Sequence, residues 1–185
     1  MSEAPATPRR VAVFAGASGG ADPAFVAAAH QLGAELAGRG LGLVFGGTGS
    51  GLMGAVADGA TEAGGEAIGV MPGFLAEVAI AHPEVEIRLV DTLAERKLLM
   101  ADLSAGFVAL PGGLGTLDEL VEMVTWSQLG VQDKPLVLLD VLGYWAKFEE
   151  LLDSMVANGF LRPEGRALLR FESDPAAAVA AVEPK

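Results

Sequence analysis

Cysteine is absent from the 185 residues, which excludes disulfides, thiolate catalysis and cysteine-held metals. Histidine is scarce too. His30 and His82 lie far apart and show no metal-ligand spacing. Aromatic residues make up only 6% of the chain, so its core must be built from small aliphatic side chains. Basic residues are few, with 12 Lys and Arg against 24 Asp and Glu and a net charge of −12. That balance argues against a nucleic-acid surface, which needs clustered cations. A small anion is still compatible, because local dipoles and a few placed cations can overrule net charge. Long hydrophobic spans are missing. Residues 40–57 carry no charge but hold seven glycines and turn chemistry, unlike a membrane helix. Arg9-Arg10 ahead of Val11–Ala15 resembles the start of a signal peptide. The run is too short and opens into a glycine turn, so a first strand and a cytoplasmic protein are expected.

What is present is apolar residues (51%) and glycine (25 residues), a mixture that suits a compact α/β protein. After a tail over residues 1–8, expected to be flexible, apolar runs alternate with helical patterns through a single domain over 9–185. Strands are expected at Val11–Ala15, Leu41–Phe45, Ala67–Met71, Ile87–Val90, Phe107–Leu110 and Leu136–Leu139, with a weaker one near Leu169–Phe171. Their nearly continuous hydrophobicity fits a parallel sheet covered on both faces. Asp22-Pro23 opens a helix that ends at Gly38-Arg39-Gly40, and a second runs from about Leu52 to Ala63, before Gly64-Gly65. Asp91 or Thr92 caps a third, reaching about Leu103. Further helices are expected over Thr116–Leu129, Tyr144–Ala157 and Pro175–Val182. The pattern predicts a doubly wound, Rossmann-like parallel sheet of six to seven strands with helices on both faces.

Three strands run into glycine-rich turns: Gly16-Ala17-Ser18-Gly19-Gly20, Gly46-Gly47-Thr48-Gly49-Ser50-Gly51 and Pro111-Gly112-Gly113-Leu114-Gly115. In a parallel sheet all three lie at the carboxyl edge, where such folds bind ligands. Glycine also simply permits short strand-to-helix turns. Three loops at one edge favour a nucleotide or sugar-phosphate site over that reading. No lysine follows the glycines, so this is not a P-loop. Gly49, Gly51 and Gly54 match a dinucleotide fingerprint only weakly, and no acidic residue ends the next strand.

Chemistry concentrates after the third loop. Thr116-Leu117-Asp118-Glu119 fits a capping box, with Thr116 as N-cap and Glu119 reaching back. Alternatively, Glu119 is a carboxylate held beside a ligand, and the two roles can coexist. Glu122, one turn on, reads as a solvated or structural charge. Arg96-Lys97 is either a solvent-facing stripe opposite Leu93, Met100 and Leu103, or an anion-binding pair. Trp126, Tyr144 and Trp145 read as packing residues, and His82 as a structural or surface histidine.

The combination of Glu95-Arg96-Lys97-Leu98-Leu99-Met100 with Pro111-Gly112-Gly113-Leu114-Gly115-Thr116-Leu117-Asp118-Glu119 resembles the Lonely Guy (LOG) proteins. These are cytokinin riboside 5′-monophosphate phosphoribohydrolases, also described as lysine decarboxylase-like. The likeness runs from Val11 to about Val182 and includes Gly46–Gly54, Thr125–Gly130 and Asn158–Leu161. It implies hydrolysis of a nucleoside 5′-monophosphate, cytokinin-type or AMP, to free base and ribose 5-phosphate. It further implies a catalytic pair, Arg96 and Glu119. A substrate wall of Lys97, Gly112, Gly113, Leu114, Gly115, Thr116, Leu117, Asp118 and Thr125 would follow, with Ser18, Gly47, Thr48 and Met53 as additional loop contacts. No metal or organic cofactor, a homodimer, and neither nucleic acid nor membrane as partner complete the expectation. Three positions depart from the family: Ala79 replaces a glutamate, Ala105 replaces the aspartate of Ser-Asp-Ala-Phe, and Ala17 replaces a serine. The alternative is a non-catalytic nucleotide or molybdenum-cofactor carrier on the same scaffold.

Overall fold

The computed structural model describes residues 9–183, so the tail expected over residues 1–8 lies outside the described residues. Seven strands form one sheet: β1 (Arg10–Phe14), β2 (Gly42–Phe45), β3 (Ala67–Pro72), β4 (Glu86–Val90), β5 (Gly106–Ala109), β6 (Leu136–Leu139) and β7 (Leu169–Glu172). Their order is β4-β3-β2-β1-β5-β6-β7, and every pairing is parallel. The chain therefore winds outward one way from β1 and the other way from β5. The switch point lies between these two strands, where Ala12 pairs with Phe107 and Val13 with Val108.

Eight helices connect the strands: α1 (Pro23–Gly38), α2 (Gly51–Glu62), α3 (Gly73–Ala76), α4 (Leu93–Asp102), α5 (Leu114–Gln128), α6 (Ala146–Ala157), α7 (Pro163–Arg166) and α8 (Pro175–Val182). A 3₁₀ turn over Val141–Gly143 precedes α6, so α6 starts two residues later than the pattern suggests, and α3 and α7 are short turns it does not show. Alternation along each strand divides the core. Val11, Val13, Leu43, Phe45, Val108 and Leu110 face α1, α2 and α8. Ala12, Phe14, Val44, Ile68, Phe107 and Ala109 face α4, α5 and α6. Helices α1 and α2 touch through their backbones. A Cβ on Gly33 would collide with the Val56 carbonyl, and one on Gly59 with the His30 carbonyl.

Candidate active site

The three glycine loops interlock at the switch point. The Gly16 N–H donates to the Pro111 carbonyl at 3.1 Å, joining the first loop to the third. The Gly16 carbonyl in turn accepts from Leu52 and Met53 at 3.0 and 3.3 Å, joining the first to the second. Gly51, at φ +61°, packs so closely on Ala17 that any Cβ would strike its backbone. These contacts account for Gly16 and Gly51, and Gly112 is explained likewise by Thr116 packed against its Cα.

Gly113 and Gly115 are different. Neither has positive φ, and a Cβ on either would meet nothing within 4 Å. Sterics do not force glycine at either position: glycine suits the N-cap at Gly113, and at Gly115 it leaves room for close approach of a ligand. Helix α5 begins at Leu114 with Gly113 as N-cap and no side-chain cap, and its first intrahelical bond is Leu117 N–H to the Gly113 carbonyl at 3.1 Å. The amides of Gly113, Leu114, Gly115 and Thr116 donate to no protein acceptor among the described residues. Four free N–H groups at the positive end of a fifteen-residue helix make a cradle that an anion could occupy.

This geometry corrects the capping-box expectation. Thr116 lies inside the first turn instead of capping it, and Glu119 sits two turns into the helix, too far along to reach back to the N-cap. Gly112, Gly113 and Leu114 do not form the loop that a Thr116 cap requires, because the N-cap lies three residues earlier, at Gly113. Glu119 is buried, with 6% of its surface exposed. Arg96 Nη1 lies 2.9 Å from Glu119 Oε1, but this is a charge contact without hydrogen-bond alignment, leaving that oxygen unsatisfied. Burial pushes the carboxyl up to about 7, even though the Arg96 charge opposes the shift.

Arg96 does not face solvent either. Its Nε donates to the Val70 carbonyl at 2.9 Å within β3, and its guanidinium lies against Gly46, where a Cβ would displace it. Arg96 thus ties α4, β3, the second loop and Glu119 together. Lys97 is also largely enclosed, but its Nζ contacts Asp118 Oδ2 at 2.9 Å and Glu122 Oε2. Burial opposes its charge, yet the hydrogen bonds to Glu122 and Asp118 prevail and raise its pKa. Lys97 braces α4 on α5, and Glu122 is its counter-ion.

The family comparison follows from these residues. A family sequence model described as "Possible lysine decarboxylase" matches residues 53–182. Cytokinin riboside 5′-monophosphate phosphoribohydrolase LOG3 of Arabidopsis thaliana is 42% identical over 162 residues, covering 87% of this chain and 75% of that protein. The corresponding LOG protein of Oryza sativa subsp. japonica is 40% identical over 162 residues, covering 87% and 67%. The chain belongs to the LOG family. As a member it is a hydrolase of α/β Rossmann-like fold. Among solved structures, the molybdenum cofactor carrier protein from Chlamydomonas reinhardtii superposes with a TM-score of 0.69 at 27% identity, covering 95% of this chain and 96% of that one.

The remaining family positions scatter around the cradle. Leu114 is 85% exposed and Asp118 points out to Lys97, while Leu117 packs partly into the core. Thr125 lies on the exposed face of α5, where its Oγ1 donates to the Val121 carbonyl at 2.8 Å. It lines a groove with Lys97, Leu114, Val121 and Trp126 instead of meeting Glu119. Ser18 Oγ accepts weakly from Gly20 N–H at 3.4 Å, Gly47 takes φ +85°, Thr48 bridges to Ala81, and Met53 packs against Gly46. Of the three LOG departures, Ala105 sits at the start of β5, on the edge opposite the cradle, bonded to the Arg10 carbonyl at 2.8 Å. Ala17 contributes its carbonyl to Ser50 at 3.4 Å. Ala79 follows α3 in the segment that closes on the second loop through Gly49–Ile80 and His82–Gly47 bonds. His82 is structural, as expected: its Nδ1 accepts from Glu84 N–H at 3.2 Å, so Nε2 donates to Asp58 at 3.0 Å. One contact escaped the sequence reading. The Tyr144 hydroxyl, expected only to pack, donates to the Gly112 carbonyl.

Proposed function

We propose that this LOG-family hydrolase cleaves the N-glycosidic bond of a cytokinin riboside 5′-monophosphate or AMP, releasing base and ribose 5-phosphate. The observation that carries the reading is Glu119: a buried carboxylate, free of any capping duty, in the helix whose first amides lie open. The 5′-phosphate would bind the amides of Gly113 to Thr116, with Gly115 admitting it closely. Ribose C1′ would then lie toward Glu119. As the bond to the base lengthens, positive charge grows on the sugar, and the ionised carboxylate stabilises it and orients the attacking water. In the net reaction the water's hydroxyl ends on C1′ and its proton on the base. Arg96 keeps its charge, so its part is to hold Glu119 and the anionic substrate, not to donate a proton. No organic cofactor or metal enters this scheme.

The purified protein incubated with AMP and isopentenyladenosine monophosphate should release free base, followed by chromatography. Folded protein that releases none from either would overturn the reading. The carrier alternative draws on the likeness to the algal molybdenum cofactor carrier. It predicts tight pterin binding without base release, and it leaves Glu119 without a purpose. The reading takes residue 9 onward as one domain, acting in the cytoplasm without nucleic acid or membrane. No described helix is long and apolar enough to cross a membrane. It also takes the protein as a homodimer joined through the α4–α5 face, where Leu98, Leu114, Val121 and Leu129 are exposed around Thr125. Sedimentation equilibrium tests that assembly.

A further inference from the structure

The chain's single tyrosine reaches the cradle from outside. Tyr144 follows a tight turn in which Leu142 and Gly143 take φ of 56° and 73°. Leu142 is the one non-glycine residue with positive φ among the described residues. Such a conformation persists only where its surroundings impose it. Here Asp140 accepts from the Trp145 N–H at 2.7 Å, and the Asp140 N–H donates to the Glu172 carbonyl at 2.7 Å. Trp145 is buried, and its ring stands edge-on to Tyr144 at 5.1 Å. Phe25, from the start of α1, meets the tyrosine ring at 6.0 Å, also edge-on. The ring is thus held between two aromatics with its hydroxyl on the Gly112 carbonyl oxygen.

That carbonyl and the Gly113 N–H belong to one trans peptide unit and point in opposite directions. Between two glycines no Cβ resists rotation of the unit. Gly112 cannot gain one, because it would strike Thr116 Oγ1 and approach Gly16 N at 2.9 Å. Rotated over, the unit would present a carbonyl oxygen to an incoming phosphate in place of an amide. We infer that Tyr144 is a positioning residue: its hydroxyl fixes the Gly112 carbonyl outward and so keeps the Gly113 amide facing the cradle. The inference rests on the reading of the cradle as a 5′-phosphate site. It assigns the strained turn at Leu142 a purpose that packing alone does not supply.

Tyr144→Phe removes the hydroxyl and retains both ring contacts. Calorimetry with ribose 5-phosphate should show affinity weakened about fivefold to tenfold, the range one hydrogen bond's net contribution converts to. KM for the nucleotide should rise by the same factor with kcat within about twofold, because phosphate is gripped alike in ground and transition states. In ¹⁵N spectra, the Gly113 amide should shift on adding ribose 5-phosphate to the wild type and respond less in the variant. Unchanged affinity with an unchanged Gly113 response overturns the inference, as does a fall confined to kcat. Wild-type protein that binds ribose 5-phosphate but releases no base defeats the hydrolase reading alone, and the binding arm still judges Tyr144. Wild-type protein that does not bind ribose 5-phosphate defeats both.

Discussion

Helix starts in this molecule differ in what serves their first amides. Those of α1, α4 and α8 are closed by their own side chains: Asp22 accepts from Ala24 N–H at 2.8 Å, Thr92 from Glu95 at 3.1 Å and Asp174 from Ala177 at 2.9 Å. The start of α2 is served by a neighbouring loop, through the Gly16 carbonyl. The start of α5 has neither, although it is the longest helix apart from α1. Helices α3, α6 and α7 also lack a side-chain cap, but α5 begins at the switch point, directly behind the third glycine loop. A helix end left open at the switch point of its sheet is free to take a partner from outside.

One variant keeps that helix start open and alters the carboxylate behind it. Glu119→Gln should lower base release by about 10²- to 10⁴-fold while ribose 5-phosphate still binds. Stability should move the other way. With its carboxyl raised from 4.5 to about 7, the folded state holds a proton that the unfolded state has lost between those values. Stability from this group is full below the lower value and is lost as pH rises through the upper one. At pH 8 the variant should therefore be more stable in urea unfolding, by up to about 3 kcal/mol. Wild-type base release should rise with pH through about 7, as Glu119 ionises. A rate flat across that range would remove Glu119 from the ionised role.

A second variant gives α5 the closed start of α1 and α8. Gly113→Asp installs the missing cap at φ −93°, ψ −153°, which aspartate tolerates. It should abolish detectable ribose 5-phosphate binding by calorimetry and raise stability by roughly 0.5 kcal/mol. A variant that still binds the sugar phosphate would show that the cradle lies elsewhere. Smallest is the effect of emptying a closed start. Asp174→Ala should cost about 1 kcal/mol in denaturant unfolding, with base release per folded molecule unchanged.

Much of the architecture was legible because strand burial and helix capping are written locally. Continuous runs such as Leu136–Leu139, and Asp22-Pro23 before an apolar stretch, identify their elements without distant information. Even the weak run at Leu169 becomes β7, pairing with β6. The start of α5 was misplaced because Thr116 and Glu119 satisfy the stronger local pattern, while the chain enters the helix earlier at Gly113, an N-cap that a run of glycines does not single out. Arg96 was undecidable for another reason. Its inward turn depends on the Val70 carbonyl and the room left by Gly46, both remote in sequence. Tyr144 was missed because its partner is a backbone oxygen, which leaves no residue-type signal.

The glycine contacts between α1 and α2 carry a consequence for motion. Helices locked backbone to backbone at Gly33 and Gly59 cannot slide or tilt independently, so the first two loops travel as one rigid jaw. The third loop and Glu119 belong to α5 on the other face of the sheet, and Arg96 to α4. These two bodies meet at the carboxyl edge through the Gly16–Pro111 hydrogen bond, the Arg96–Gly46 contact and the Phe25–Tyr144 ring pair, so relative motion there works against all three.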